Sequence, residues 1–301
     1  MRVLITGASG GIGRAVAKLF VERGHEVHGI DTVPFVCAEA GGACDSVSGN
    51  AVGNGNVCDR VSGNADGNGS GAGRCDGGND GGSYVHHIAD VTDPSTFPAD
   101  LKPEVIVNCA GVQTDTGIET IGGADSDAVA DADSNSNADA TADAKHGAAG
   151  EPSISEMAAR DIDVNLKGTI NITERYAFGN EDIKAVVNIG SASGHTGSEF
   201  PVYAASKGGV IAYTKNIALR LAPRATANSI DPGGVVTELN DHVMKDERLW
   251  KQIMDLTPMK RWAEPEEIAE WIYFVAVVNR SMTGQNLLID GGEAGKATFV
   301  W

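Results

Sequence analysis

The chain has 301 residues, of which 42% are hydrophobic and 21% charged, enough apolar material for a folded core. Its formal net charge of −18 argues against a nucleic-acid partner, because contacts to phosphate require clustered Lys and Arg. No apolar run approaches the ~20 residues that span a bilayer, and the first residues lack the apolar region of a signal peptide. We therefore expect a cytoplasmic protein that does not contact membranes.

Two stretches of low complexity interrupt the sequence, at residues 37–83 and 114–152. They hold fifteen of the 41 acidic residues and three of the 23 basic ones, so the acidity is concentrated there. Their mixtures of Gly, Asn, Asp, Ser and Ala can bury too little apolar surface to offset backbone entropy, so both are predicted to be disordered inserts. Because loop insertion costs little, residues 1–301 are predicted to form a single domain.

Outside the inserts, strand and helix patterns alternate along the chain. Strands are predicted at 3–6, 25–31, 84–89, 105–108, 184–189, 227–230 and 285–289, and helices at 11–23, 157–176, 203–221 and 265–278. Strands separated by helices predict an α/β fold with a doubly wound parallel sheet covered on both faces. No helical pattern lies between Asp31 and Tyr84, so the crossover helix expected there is missing or replaced by the first insert.

A glycine-rich turn, T-G-A-S-G-G-I-G at residues 6–13, joins the first strand to the first helix. Glycines let backbone N–H groups approach a pyrophosphate, and the helix N-terminus favours its negative charge. Cofactor contacts are therefore predicted for six residues of the turn: Gly7, Ser9, Gly10, Gly11, Ile12 and Gly13.

The second predicted strand ends at Asp31, 18 residues after Gly13. A carboxylate at this position can accept hydrogen bonds from the adenosine ribose and would repel a 2′-phosphate. No basic residue lies at positions 32–36. Asp31 is therefore predicted to bind the cofactor and to select NAD over NADP.

The predicted chemistry depends on a tyrosine and a lysine four residues apart, Tyr203 and Lys207, on one face of a helix. Oxidation of an alcohol needs a base for the hydroxyl proton, and a free phenol, with a pKa near ~10, is a poor base at neutral pH. A nearby ammonium group favours the phenolate. Ser191, twelve residues before Tyr203, can hydrogen-bond the substrate oxygen; Ser193 is the second choice.

These motifs resemble the short-chain dehydrogenase/reductase family, in its compact T-G-x-x-x-G-x-G and Y-x-x-x-K form. Further motifs follow in the family's order: Asp90-Val91 beside adenine, Asn108-Cys109-Ala110-Gly111 on the adenosine side, Asn165, and Pro232-Gly233 with Val235 and Thr237 at the nicotinamide end. An R-x-x-E-P-E-E-I-A stretch from Arg261 and a D-G-G at 290–292 complete the pattern. The resemblance covers nearly everything outside the inserts.

The resemblance implies a Rossmann-type fold and an NAD(H)-dependent alcohol dehydrogenase or ketone reductase. Tyr203 is the expected general acid/base, Ser191 polarises the substrate oxygen, Lys207 also holds the nicotinamide ribose, and Asn165 completes a proton relay through a water. Hydroxysteroids, 3-hydroxyacyl thioesters and small diols or sugar alcohols would all fit as substrates. A homodimer or homotetramer is expected.

Two other functions stay open: a catalytically silent dinucleotide sensor, and an epimerase or dehydratase on the same fold.

The segment at 237–262 is predicted to cover the substrate with an apolar surface. His195 is interpreted as a surface-loop residue near the substrate entrance. The five cysteines show no C-x-x-C spacing, so neither a metal site nor a disulfide framework is predicted.

Overall fold

The computed structural model describes residues 1–35, 72–76, 81–114, 154–197 and 200–295. Eight strands form one sheet in the order β3-β4-β2-β1-β5-β6-β7-β8. Every neighbouring pair is parallel except β3 and β4, which run antiparallel at one edge. The strands are β1 Arg2–Thr6, β2 Glu26–Asp31, β3 Ala72–Asp76, β4 Ser83–Ile88, β5 Val105–Asn108, β6 Ala185–Ile189, β7 Thr226–Pro232 and β8 Asn286–Ile289.

The seven predicted strands are confirmed as the parallel part of the sheet. Strand β1 lies between β2 and β5, and its residues Val3, Leu4 and Ile5 are fully buried on both faces. An uninterrupted apolar run of this kind is typical of a central parallel strand covered by helices on both sides.

The helices are α1 Gly11–Glu22, α2 Ile154–Asp161, α3 Thr169–Tyr176, α4 Ala192–Thr196, α5 Pro201–Leu221, α6 Asp241–Lys245, α7 Glu247–Leu256 and α8 Pro265–Tyr273. Helices α1 and α8 pack together on one face of the sheet and bury an apolar cluster there. Helices α3 and α5 bury a second cluster on the opposite face. The sheet is therefore doubly wound, as the sequence predicted.

The helix predicted at 157–176 is interrupted in its middle. Between α2 and α3, residues Ile162–Gly168 form a π-helical turn, which is wider than an α-helix. Such turns change which way side chains point within an otherwise continuous helix, and they are frequent at functional sites. Asn165 lies in this turn and is fully buried.

The sequence did not indicate strand β3, which lies within the first insert. Its five residues pair with β4 and extend the sheet by one antiparallel edge strand, so this part of residues 37–83 differs from the prediction of a disordered loop. The remaining residues of that insert up to Asp80, and all but Thr114 of the insert at 114–152, lie outside the described residues. Among the described residues, no helix is both long and apolar enough to cross a membrane.

Candidate active site

The glycine-rich turn lies at the carboxyl edge of the sheet, directly after β1. Gly7 has a positive φ of 64°, and a Cβ there would lie 2.7 Å from Ala110 Cα. A Cβ on Gly13 would lie 2.1 Å from the Gly7 carbonyl oxygen. Both positions therefore require glycine for steric reasons. The turn is followed directly by the first turn of α1, whose backbone N–H groups have no acceptors within the helix.

Asp31, at the end of β2, lies against this turn. Its Oδ2 accepts a hydrogen bond from the Ser9 N–H at 2.9 Å, and its Oδ1 accepts one from the Val33 N–H at 3.3 Å. These bonds hold the carboxylate beside the glycine turn and leave further lone pairs on both oxygens, since a carboxylate accepts about four hydrogen bonds. The residues present therefore fit a nicotinamide dinucleotide.

Ser191 lies two residues after the end of β6 and is the N-cap of helix α4. It is buried, and its Oγ accepts a hydrogen bond from the Ser193 N–H at 3.2 Å, which caps the helix. The cap leaves the Ser191 hydroxyl proton free to point to another acceptor. Ser193 is the second residue of helix α4.

Helix α5 brings Tyr203 and Lys207 together, as their spacing predicted. The Lys207 Nζ lies 5.7 Å from the centre of the Tyr203 ring and donates a hydrogen bond to the Ile189 carbonyl oxygen at 2.9 Å. The lysine side chain is therefore anchored two residues before Ser191, so three of the predicted catalytic residues converge on the end of β6.

Lys207 is only 4% exposed, and burial lowers the pKa of its ammonium group to about 8. The carboxylates of Asp231 and Asp161 oppose this shift. Burial likewise raises the pKa of the Cys109 thiol to about 12, so this cysteine is a thiol at neutral pH. Lys207 therefore provides a positive charge at neutral pH beside the Tyr203 phenol.

Asn165 connects the π-helical turn to the loop after β5. Its Oδ1 accepts a hydrogen bond from the Val112 N–H and its Nδ2 donates to the Val112 carbonyl oxygen, both at 2.8 Å. The same Nδ2 donates to Ser206 Oγ at 3.0 Å. A Cβ on Gly111 would lie 3.3 Å from Asn165 Oδ1 and 3.4 Å from Lys207 Nζ, so Asn165 and Lys207 border the same small space.

The other predicted cofactor residues divide into two groups. The first group lies within three residues after the carboxyl ends of β4, β5 and β7: Asp90, Val91, Ala110, Gly233 and Val235. Pro232 is the last residue of β7. Asn108 is different, because its Nδ2 donates to Thr173 Oγ1 at 3.0 Å and to Asn188 Oδ1 at 2.8 Å. The Asn108 side chain therefore joins β5 to β6 and α3 inside the protein, and its contact with a cofactor stays a prediction.

The segment predicted to cover the substrate begins on top of the glycine turn. A Cβ on Gly11 would lie 2.5 Å from Thr237 Cγ2, and Glu238 forms an ion pair with Arg14 of helix α1. Further along, Trp250 of α7 packs edge-on against Trp262 at 4.8 Å between ring centres. The large apolar side chains that this segment exposes are Leu239, Leu249, Leu256 and Met259.

Sequence reasoning missed two buried carboxylates near Lys207. Asp161 accepts hydrogen bonds from both the N–H (3.1 Å) and the hydroxyl (2.6 Å) of Thr114, and so holds the loop after β5. Asp231, at the end of β7, accepts a hydrogen bond from His195 at 2.6 Å. His195 lies at the surface, as interpreted from the sequence, but in helix α4 and not in a loop, and it pairs with a fully buried group. Only the position of Asp231 next to the P-G motif could have drawn attention to it.

Comparison with known proteins identifies a family and several relatives. Residues 112–293 match the family model described as enoyl-(acyl carrier protein) reductase, and residues 3–120 match the NAD dependent epimerase/dehydratase family. A 3-oxoacyl-[acyl-carrier-protein] reductase from Vibrio harveyi is 26% identical over 96% of this chain and 95% of its own length. A reductase of the same name from Synechocystis is 32% identical over 44% of this chain, a match that spans 53% of the length of that relative.

Two solved structures share the fold. Aldohexose dehydrogenase from Thermoplasma acidophilum has a TM-score of 0.67 and 23% identity, covering 100% of this chain and 96% of its own. A 3-oxoacyl-[acyl-carrier protein] reductase from Brucella melitensis, solved with bound NAD, has a TM-score of 0.64 and 24% identity, covering 97% and 90%. The chain belongs to the short-chain dehydrogenase/reductase family, a family of oxidoreductases that bind a nicotinamide dinucleotide.

Proposed function

We propose that this protein interconverts a secondary alcohol and a ketone with NAD(H). The observation that carries the proposal is the convergence of Tyr203, Lys207 and Ser191 at the end of β6, with Lys207 anchored to the Ile189 carbonyl and facing the Tyr203 ring. This set provides a proton-transfer group, a cation that favours its ionised form and a donor for the substrate oxygen.

In the proposed reaction, Tyr203 takes the hydroxyl proton during oxidation and returns it during reduction. Lys207 stabilises the phenolate, because a positive charge nearby lowers the pKa of a phenol. Ser191 donates a hydrogen bond to the substrate oxygen, and Asn165 continues the proton path toward solvent. The nicotinamide, when bound, supplies or accepts the hydride.

Replacing Tyr203 with Phe tests the proposal. Y203F should lower kcat by about 10²- to 10⁴-fold, the range for losing a general acid/base, without changing the dissociation constant of NADH. Absorbance at 340 nm and NADH fluorescence measure the two quantities. The matched control is Y213F, since Tyr213 lies in the same helix but bonds Glu174, and its turnover should be unchanged. Turnover by Y203F at the wild-type rate would remove Tyr203 from the mechanism.

Selection of NAD over NADP is the part of the proposal that depends on Asp31. A hydrogen bond to a charged group is worth about 1.5–3 kcal/mol, so D31A should raise KM for NAD by about 10- to 100-fold. The matched variant D31N keeps an acceptor and removes the charge, so it should admit NADP while keeping more of the affinity for NAD. Wild-type protein with an equal or higher kcat/KM for NADP would contradict the NAD proposal.

The substrate is proposed to be apolar around its reacting carbon. The four exposed apolar side chains of the covering segment support this, because exposed apolar groups grouped on one segment are typical of a ligand-binding surface. Measuring turnover of hydroxysteroids, 3-hydroxyacyl thioesters and small diols in turn separates the three classes.

We also propose a homo-oligomer, supported by the exposed side chains of Leu219, Trp271 and Phe274. Light scattering measures its mass.

An epimerase or dehydratase is the second candidate, favoured by the epimerase/dehydratase match over residues 3–120. Such an enzyme would return its cofactor to the starting state, so product would form without a lasting change in absorbance at 340 nm. Tight NADH binding without turnover of any tested class would instead favour a dinucleotide sensor.

A further inference from the structure

Helix α4, which Ser191 caps, is too short to be stable without contacts to its neighbours. It is five residues long, well below the ~12 residues at which an isolated helix becomes stable. It packs along α5, where a Cβ on Gly194 would lie 2.9 Å from both the Gly208 N atom and Ile211 Cδ1. This packing holds the middle of the helix, so the orientation of the Ser191 hydroxyl depends on further contacts at its ends.

A contact of this kind comes from His195, one turn after Ser191. Its Nε2 lies 2.6 Å from Asp231 Oδ2, at the carboxyl end of β7. Because a carboxylate accepts hydrogen bonds, Nε2 carries the proton and donates it. This bond ties the end of α4 to the strand that leads directly into the Pro232–Gly233 turn.

Breaking the hydrogen bond between Asp231 and His195 is costly. The residue is fully buried, and burial raises its pKa above the usual range, against the hydrogen bonding with Ser229 and His195. A Cβ on Gly190 would lie only 2.0 Å from Asp231 Oδ1, so the carboxylate fills the space beside the residue that precedes Ser191. A buried acceptor is costly to leave unpaired, which favours one orientation of His195.

We propose that His195 and Asp231 are a positioning pair for Ser191: the imidazole, held by the buried carboxylate, fixes helix α4 and thereby the serine hydroxyl that polarises the substrate oxygen. The proposal rests on the alcohol–ketone function proposed above. The pair acts through Ser191 and exchanges no proton with the substrate.

Three variants test the pair. H195F removes the donor and keeps a ring, H195Q keeps an N–H donor that does not titrate, and the double variant H195F/D231V removes both polar groups so that no buried carboxylate is left unpaired. For each variant, kcat, KM, the NADH dissociation constant and the thermal midpoint are measured. Amide exchange of residues 189–197 is followed by mass spectrometry.

The expected result is that H195F lowers kcat by about 10- to 100-fold, the cost of a displaced catalytic group, with NADH affinity unchanged. H195Q should recover most of the loss. The double variant should match H195F in kcat although its thermal midpoint returns toward that of the wild type. A kcat for H195F equal to wild type, or H195Q as impaired as H195F, would overturn the proposal.

Failure of the proposed function gives a different result. If the wild-type protein turns over no alcohol or ketone, the amide exchange still tests whether His195 and Asp231 fix helix α4. The positioning pair predicts faster exchange of residues 189–197 in H195F than in H195Q or wild type. Equal exchange in all three would overturn it.

Discussion

The two helix layers cover the same sheet with different chemistry. The layer of α1 and α8 packs apolar side chains such as Phe20 and Ile272 against one face. The layer of α3 and α5 has an apolar cluster too, but it also holds a group of buried polar side chains: Asn108, Asn165, Thr173, Asn188, Ser206, Lys207 and Thr214. Strand β6 shows both, since Val187 joins the first cluster and Asn188 faces the other way.

The difference shows how one fold can be stable and still hold a reactive site. Apolar burial is non-directional and contributes free energy roughly in proportion to area. Buried polar groups contribute less and must each find a partner, but their hydrogen bonds determine positions. The first layer therefore stabilises the sheet, and the second positions Tyr203, Lys207 and Asn165.

The largest effect is expected from truncating the apolar layer. Phe20 is fully buried and packs against Tyr273 with ring centres 5.1 Å apart. Phe20→Ala should lower the free energy of unfolding by about 3–5 kcal/mol, as is usual for a buried aromatic residue. Urea unfolding measures it. Val278→Ala, which truncates a side chain that is 54% exposed, is the control and should change stability by less than about 0.5 kcal/mol.

The second effect concerns the charge buried in the polar layer. Folding lowers the pKa of Lys207 from 10.5 to about 8, so between these values the unfolded chain binds the proton that the folded chain has released. Stability therefore rises with pH in this window, by up to about 3 kcal/mol in all. The unfolding free energy of the wild type minus that of K207M should increase from pH 8 to pH 10.5. A difference that stays constant over this range would mean that folding does not lower the pKa of Lys207.

The smallest effect is expected where a single hydrogen-bonding group is removed. Asn188 is fully buried, accepts from Asn108 and donates to Thr214 Oγ1 at 2.8 Å. N188A should cost about 1–3 kcal/mol, because Asn108 and Thr214 each lose a partner. It should also lower turnover, since the bonds link β5 and β6 to helix α5. V187A, on the opposite face of β6, should lose stability but keep the turnover of its folded fraction.

Local patterns predicted the parallel part of the sheet, because a buried strand and an amphipathic helix each have a period that can be read along the chain. The Tyr203–Lys207 pair was predictable for the same reason: residues four apart on a helix share a face. Strand β3 was not predictable, since its pairing with β4 is an edge contact made by a segment of low-complexity composition. The π-helical turn at Asn165 likewise leaves no clear periodic signal.

The sequence by itself determined the fold class, the glycine turn with Asp31 beside it, and the residues that meet at the end of β6. These features depend on the spacing of nearby residues and on the steric need for glycine, and both can be read directly from the sequence. Only the tertiary structure decided the partners of buried polar groups. Asn108 bonds into the sheet, Asp161 holds the loop after β5, and Asp231 pairs with His195 across 36 residues. Burial makes these partners necessary, and burial is a property of the packed chain.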